Sequence, residues 1–483
     1  MTTAASIPRP RAGLVRGLGL LAATAIVIAD VIGTGVFLKA RVMTCNVGTP
    51  GMVIGVWIIG GLLSLAGALT YAELAVRMPH AGGEYVFIRN AYGPLLGFLY
   101  GWTRFFVASS GGLAGLAAGL GIFLNIVGGG VLQAHAIALD VGGHPLVFSG
   151  LHLVASAAIA VVTIVNCAAV TVGGRIASVL AALKVALVLG VGLAAMVLAR
   201  GDWAHFALSG AGAICEGVPA TARGGLAGFG AAMLGALWAY NGWNEVTYVA
   251  GEVKEPQRNL PVAIIGGIGV IAALYVFANV AYFYVLTPSA VAGTSTSSSV
   301  ATEVVTRFLG ARAAGVMAGA LAMSIFGSLH VVALVSARIP YAMARDGLFF
   351  RPLARLSPHT RVPIAALLAQ GVWAIILVLS GSYDTLTDYA IFAVLIFVAL
   401  ATASVFIGRP ASADTEHTYR TWGYPVTPVL FLLVAGWIVV NTFIATPGRA
   451  LAGIGLMALG LPFYWYWSRT ARARGGSEDP PYN

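Results

Sequence analysis

ADVIGTGVFL, residues 29–38, places a carboxylate, two glycines and a threonine inside the first long apolar run of the chain. The run itself covers residues 17–38 and otherwise suits hydrocarbon. Glycine costs about 1 kcal/mol in a helix interior relative to alanine, and polar groups at mid-bilayer cost more. The stretch therefore predicts a helix that breaks halfway across. A second stretch behaves alike: in WAYNGWNEV, residues 238–246, Asn241, Gly242, Asn244 and Glu245 interrupt another apolar run.

The surroundings are those of an integral membrane protein. Of 483 residues, 59% are hydrophobic and 9% charged, where a soluble domain carries about a quarter charged. Apolar runs of bilayer length, roughly 20 residues, are expected at twelve places, centred near 28, 62, 108, 161, 188, 238, 272, 326, 371, 396, 435 and 459. The first run is too long for a signal peptide, and Lys39 and Arg41 stand where a cleavage site would fall. The net charge of +10 reports topology rather than a nucleic-acid partner. With the N-terminus cytoplasmic, Arg77, Arg89, Arg175, Lys254, Arg258, Arg338, Arg345, Arg409 and Arg420 fall inside with both basic tails, and few cations fall outside. That is the positive-inside bias, and an even helix count puts both termini in the cytoplasm. Cys45, Cys167 and Cys215 have no metal-binding spacing. Cys45 and Cys215 are placed in outward loops; they are read as free thiols, with a disulfide as the alternative.

The breaks lie in the first and sixth segments, five apart. In folds built from inverted repeats of five helices, a ligand lies where the first helix of each repeat unwinds. The expected fold is all-α with about twelve transmembrane helices. Residues 1–16 and 469–483 read as tails, 17–410 as a ten-helix core of two repeats, and 411–468 as two added helices. Residues 380–389 read as a short acidic outward turn.

Unwinding frees backbone groups that must find partners. The second half of a broken helix presents N–H groups and a dipole that favour an anion, and Gly33, Thr34 and Gly35 let them approach closely. The first half ends in carbonyls suited to an ammonium. An anion site and a cation site a few ångströms apart fit an α-amino acid. The alternative for the GxG is a helix-packing notch.

Lys184, alone in ASVLAALKVALVLGVGL, is a functional candidate by position. Its ammonium would cap the carbonyls freed in the first break, where a sodium ion would otherwise sit, or change protonation in the cycle; the alternative is a snorkelling residue. Asp30 and Glu245 are the mid-membrane acids, each a candidate to partner a substrate amine or carry a proton, with pairing to Lys184 as the structural alternative. Trp238 and Tyr240 flank the second break as a gate over the ligand or as core. Glu73, Glu252 and Arg338 read as ordinary interfacial charges.

VIGTGVF (31–37), HAGGEYVFIRNAYGPLLGFLYGW (80–102), VNCAAVTVGGRIASVLAALKVALVL (165–189) and ALWAYNGWNEVTYVAGEVKEPQRNLPVAI (236–264) resemble motifs of the amino acid–polyamine–organocation superfamily, in its L-type amino acid transporter-like branch. The resemblance runs over most of residues 15–410. It implies the five-helix inverted-repeat fold, alternating access, and amino acid transport by exchange or proton coupling. By motif position it implies that Gly33, Thr34 and Gly35 hold the substrate carboxylate and that carbonyls of Val31, Trp238 and Asn241 hold the amine. It places Trp238 at the aromatic gate and Lys184 at a filled sodium site, hence sodium-independent transport. Asn241 departs from the glycine or aspartate common there, and Asn244, a further candidate to bind substrate, stands where arginine/agmatine exchangers carry a glutamate. Residues 125–148 lack the cysteine that tethers a heavy-chain partner in animal members, so none is expected.

No cofactor, metal cluster or nucleophile with a base at helical spacing is evident, so a membrane-bound enzyme is disfavoured. A cationic amine or polyamine exchanger is the second transporter reading, resting on Asp30. A channel fits two unwound helices less well than an occluding site does.

Overall fold

A computed structural model describes residues 13–133, 136–141, 144–210, 214–295, 298–380, 394–407, 419–445 and 447–472. The extreme tails, Arg409 and nearly all of the acidic turn at 380–389 lie outside the described residues.

Among the described residues six helices are long and apolar enough to cross a bilayer: Pro50–Arg77, Pro94–Val127, Val170–Leu198, Pro256–Val285, Ala313–Arg345 and Ala450–Thr470. Leu20–Val31 and Gly35–Val47 form one further span bent by 43°. Five shorter apolar helices complete the series: Gly150–Asn166, Gly225–Ala239, Ile364–Ser380, Val394–Phe406 and Val426–Asn441. These twelve segments stand at the twelve expected places and are numbered spans 1 to 12 in chain order. The helical bundle is as expected. Outside it, Ala136–Val141 and His144–Ser149 pair antiparallel as a short hairpin between spans 3 and 4.

Packing follows one rule. Span 2 lies on span 7, span 3 on span 8, span 4 on span 9, and the second half of span 1 on span 6. Further contacts obey the same exchange: span 2 touches 6 as span 7 touches 1, and span 3 touches 9 as span 8 touches 4, while span 5 packs on spans 1, 7 and 8. An exchange of this kind among spans 1 to 4 and 6 to 9 is what two repeats related by a pseudo-two-fold axis would give.

One end of the bundle is closed by backbone pairing. Leu18 N–H donates to Glu252 O at 3.0 Å and Lys254 N–H to Leu18 O at 2.8 Å, joining the segment before span 1 to the end of span 6. Gly82 N–H, in the turn between spans 2 and 3, donates to Tyr248 O at 2.9 Å. At the opposite end Cys45 and Cys215 form a disulfide with Cα atoms 5.8 Å apart, which corrects the free-thiol reading. Cys45 lies in the helical second half of span 1 rather than in a loop, and the connection from span 5 to span 6 folds back over it.

Glu73, Glu252 and Arg338 are buried, not interfacial. Arg338 Nε and Nη2 each meet a Glu252 carboxylate oxygen at 3.0 Å, and Glu73 accepts from Thr421 N–H at 2.7 Å. Placement near a helix end says little about exposure where loops pack over the ends.

Candidate substrate site at the two helix breaks

Span 1 unwinds where expected. Its first half ends at Val31, Gly33 N–H turns back to Val31 O at 2.8 Å, and the second half starts at Gly35. Among the described residues the N–H groups of Thr34, Gly35 and Val36 donate no hydrogen bond, leaving orphan donors at the N-terminus of a 13-residue helix. The two glycines have separate duties. A Cβ on Gly33 would meet only Ser328 Oγ, at 4.0 Å, whereas a Cβ on Gly35 would come within 2.6 Å of Ala239 Cβ in span 6. Gly35 is thus partly the packing notch, and Gly33 leaves the approach clear.

Span 6 is helical over Gly225–Ala239, turns through residues 240–244, and continues as a tight 3-10 helix over Glu245–Glu252. Gly242 makes the turn with φ +114°, a region closed to ordinary side chains. A Cβ there would also stand 3.0 Å from the Asp30 carboxyl carbon, so the Asp30 side chain rests on the second break.

Lys184 reaches the first break from span 5 and is fully buried. Its ammonium donates to Ala29 O, to Ile32 O at 2.6 Å and to Ser328 Oγ at 2.7 Å. Three donors meet three acceptors, so the cation is saturated. Ser328 and Ser324 of span 8 donate in turn to Ala29 O and Ile32 O at 3.1 and 3.3 Å. Span 8 admits the lysine stem at Gly327, where a Cβ would lie 2.7 Å from Lys184 Cε. Lys184 does not snorkel.

Nor does either acid form an ion pair with Lys184 among the described residues. Glu245 pairs with Arg104 of span 3, whose Nη2 also donates to Tyr248 Oη at 2.6 Å. Arg104 begins a widened π-type turn, Arg104–Ser109, in the middle of its span; such turns recur at functional sites. Beyond Tyr248 lies Glu84, whose carboxylate accepts from Tyr71, Tyr100, Tyr248 and Asn244. Asn244 thus serves this network. Sequence reasoning overlooked Arg104 and Glu84, although a lone arginine within the apolar run 94–127 was a visible signal. Asp30 Oδ2, Glu245 Oε2 and Arg104 Nε are buried polar atoms without a partner.

The remaining expectations divide. Trp238 is half-exposed beside the first break, with the Lys39 ammonium 4.4 Å above its ring. Tyr240 faces away: it is fully buried on Trp57 and Tyr275 and donates to Trp57 O at 3.1 Å. The Val31 carbonyl is taken by Gly33 N–H and by the Tyr275 hydroxyl at 3.0 Å. Tyr275 also donates to Ala239 O at 3.1 Å, tying the two breaks together. The Trp238 carbonyl accepts from the N–H groups of Tyr240 and Asn241. Asn241 is exposed, and its carbonyl is the one of the three expected acceptors that takes none of the described hydrogen bonds.

The breaks thus leave free N–H donors at the start of Gly35–Val47, an Asn241 carbonyl without a described donor, and a half-exposed indole at Trp238. Free N–H groups at a helix N-terminus suit an anion.

The wider comparison agrees. The family described as amino acid permease matches residues 18–464. A serine/threonine exchanger of Bacillus subtilis, SteT, is 29% identical over 94% of this chain and 97% of its own. The human large neutral amino acids transporter small subunit 2 is 30% identical over 94% of this chain and 81% of its own. The mouse b(0,+)-type amino acid transporter 1 is 28% identical over 94% and 88%. These relatives are transporters and not enzymes. With that match over most of its length, the chain belongs to the amino acid permease family.

Proposed function

We propose that the chain exchanges neutral α-amino acids across the inner membrane by alternating access, without sodium and with both termini cytoplasmic. The observation that carries the reading is Lys184: its ammonium fills the cage of Ala29 and Ile32 carbonyls and the Ser328 hydroxyl, leaving no acceptor there for a metal cation. The substrate carboxylate meets the N–H groups of Thr34, Gly35 and Val36 and the Thr34 hydroxyl, while Gly33 leaves the path open. The ammonium meets the Asn241 carbonyl, and Trp238 closes over the side chain. Neutral side chains follow from the half-apolar opening and from the names of two relatives, a serine/threonine exchanger and a large neutral amino acid transporter. Asp30 and Glu245 flank the path as the groups that couple substrate to proton or counter-substrate. Trp238 is the gate; Tyr240 supports it from the core.

The unpartnered Asp30 Oδ2 favours one second reading, a cationic amine as substrate. Proteoliposomes loaded with serine or leucine decide both. Uptake of labelled serine or leucine is expected to need an amino acid on the opposite side and to stay unchanged when choline replaces sodium. Sodium-dependent uptake would overturn the reading, and uptake of agmatine or putrescine alone would favour the second. The loop at 125–148 has no cysteine, and the protein is expected to work without a disulfide-linked partner.

A further inference from the structure

At the end of the bundle closed by backbone pairing, a cavity of about 270 Å³ opens to the surface. Four separate parts of the chain wall it. Leu14 and Arg16 come from the segment before span 1, Pro79 to Ala81 from the turn between spans 2 and 3, Gly251 from the end of span 6, and Tyr341 and Arg345 from the end of span 8. Its charged and titratable lining is Arg16, Arg345, His80 and Tyr341, with no acid among them.

The acids nearby are already engaged. Glu252 is held by Arg338, and Asp346 by Arg89 at 2.9 Å and by the Tyr85 hydroxyl at 2.6 Å. Neither Arg16 nor Arg345 forms an ion pair among the described residues, and both are exposed. Burial, with the charges of Arg345 and Arg16, holds the His80 imidazole below its usual range. The lining therefore carries two guanidinium groups and no acid, with Arg345 reaching Tyr341 and sensing only the already engaged Asp346, around an opening wide enough for one small polar group.

We propose that this cup binds a phosphate group and that the bound anion fastens the four segments in their closed arrangement. The stem of Arg16 belongs to the segment paired through Leu18 to span 6, so anything gripping Arg16 and Arg345 together spans the seam that must part for this end to open. Arginine suits the role because it grips phosphate through two parallel hydrogen bonds, whereas lysine offers a point charge. The chemistry fits free phosphate and a phospholipid headgroup equally, since Arg16 immediately precedes the first span. The site lies apart from the helix breaks and does not depend on which amino acid is carried.

The test is thermal unfolding of the full chain in neutral detergent. Probes are inorganic phosphate against chloride at matched ionic strength, and micelles containing phosphatidic acid against phosphatidylcholine. Wild-type protein is expected to gain about 2 °C or more with a phosphate-bearing probe. Arg16→Gln with Arg345→Gln should abolish the gain. A gain with inorganic phosphate identifies a soluble anion, and one confined to phosphatidic acid identifies a headgroup. An equal gain in the double variant, an equal gain with chloride, or no gain with either phosphate probe would overturn the proposal. Serine or leucine in the same assay reports the substrate site separately, and a retained response in the double variant shows that it is folded.

Discussion

Arg104 and Glu245, 141 residues apart, meet as a buried ion pair between span 3 and the inner part of span 6. Breaking such a pair strands one charge and costs about 3–5 kcal/mol, whereas replacing both partners by apolar groups is often close to neutral. Arg104→Met should therefore lower the unfolding midpoint more than Arg104→Met combined with Glu245→Met. If the double variant regains stability but not exchange, the pair serves transport. If it regains both, the pair is scaffold. Unfolding curves beside proteoliposome exchange measure the two.

Lys184→Ala would leave the Ala29 and Ile32 carbonyls without their cation. The Ser328 and Ser324 hydroxyls would still donate to them, but each hydrogen bond to a charged group is worth about 1.5–3 kcal/mol, so loss of exchange and a lowered midpoint are expected. Sodium should then restore stability to this variant and leave the wild type unaffected, because the vacated carbonyl cage suits a hard cation. Thermal scans in sodium and in choline would show it, and identical curves for the variant would refute it.

At Gly242 a methyl group meets both an unfavourable φ and the Asp30 carboxyl. Gly242→Ala should abolish substrate binding and lower stability by at least about 1 kcal/mol. Adding Asp30→Gly removes the clash but not the backbone strain, so only partial recovery of stability is expected. Full recovery would mean that the positive φ is not required.

The Cys45–Cys215 bridge closes a loop of 170 residues. Chain-entropy reasoning gives about 4.7 kcal/mol for a loop of 100 residues and slightly more here. Reduction, or Cys45→Ser, should lower the midpoint by several degrees and loosen the second half of span 1. A reductant that leaves the midpoint unchanged would show that the bridge constrains little.

Hydropathy alone located all twelve segments, because hydrocarbon demands long apolar runs wherever the chain crosses. The two breaks were equally legible: Gly33, Asp30 and Asn241 conflict with their neighbours. Lys184 could be placed at the first break because few groups can satisfy a buried ammonium. Pairings across the fold were not legible. Nothing near Arg104 in the chain indicates Glu245, and nothing near Glu84 indicates Tyr248 or Asn244. Lone charges show that a partner exists without naming it. The cysteine reading failed likewise, since Cys45 and Cys215 become neighbours only after spans 1 and 6 pack. For Tyr240 the choice between gate and core stayed open, because sequence places it at the break but does not say which side its ring faces.

The swap of each span for the one five later bears on how the chain is made. Lys184, Arg104 and Glu84 all emerge from the ribosome early, yet Ser328, Glu245, Asn244 and Tyr248 are translated only afterwards. A nascent first half thus carries an ammonium and a carboxylate with only some of their companions, Ala29 and Ile32 for the first and Tyr71 and Tyr100 for the second, and a guanidinium whose acid does not yet exist. Insertion must leave those segments loosely held, near water or an insertase, until the eighth span arrives. A chain truncated after Leu198 is accordingly expected to be unstable rather than half a transporter.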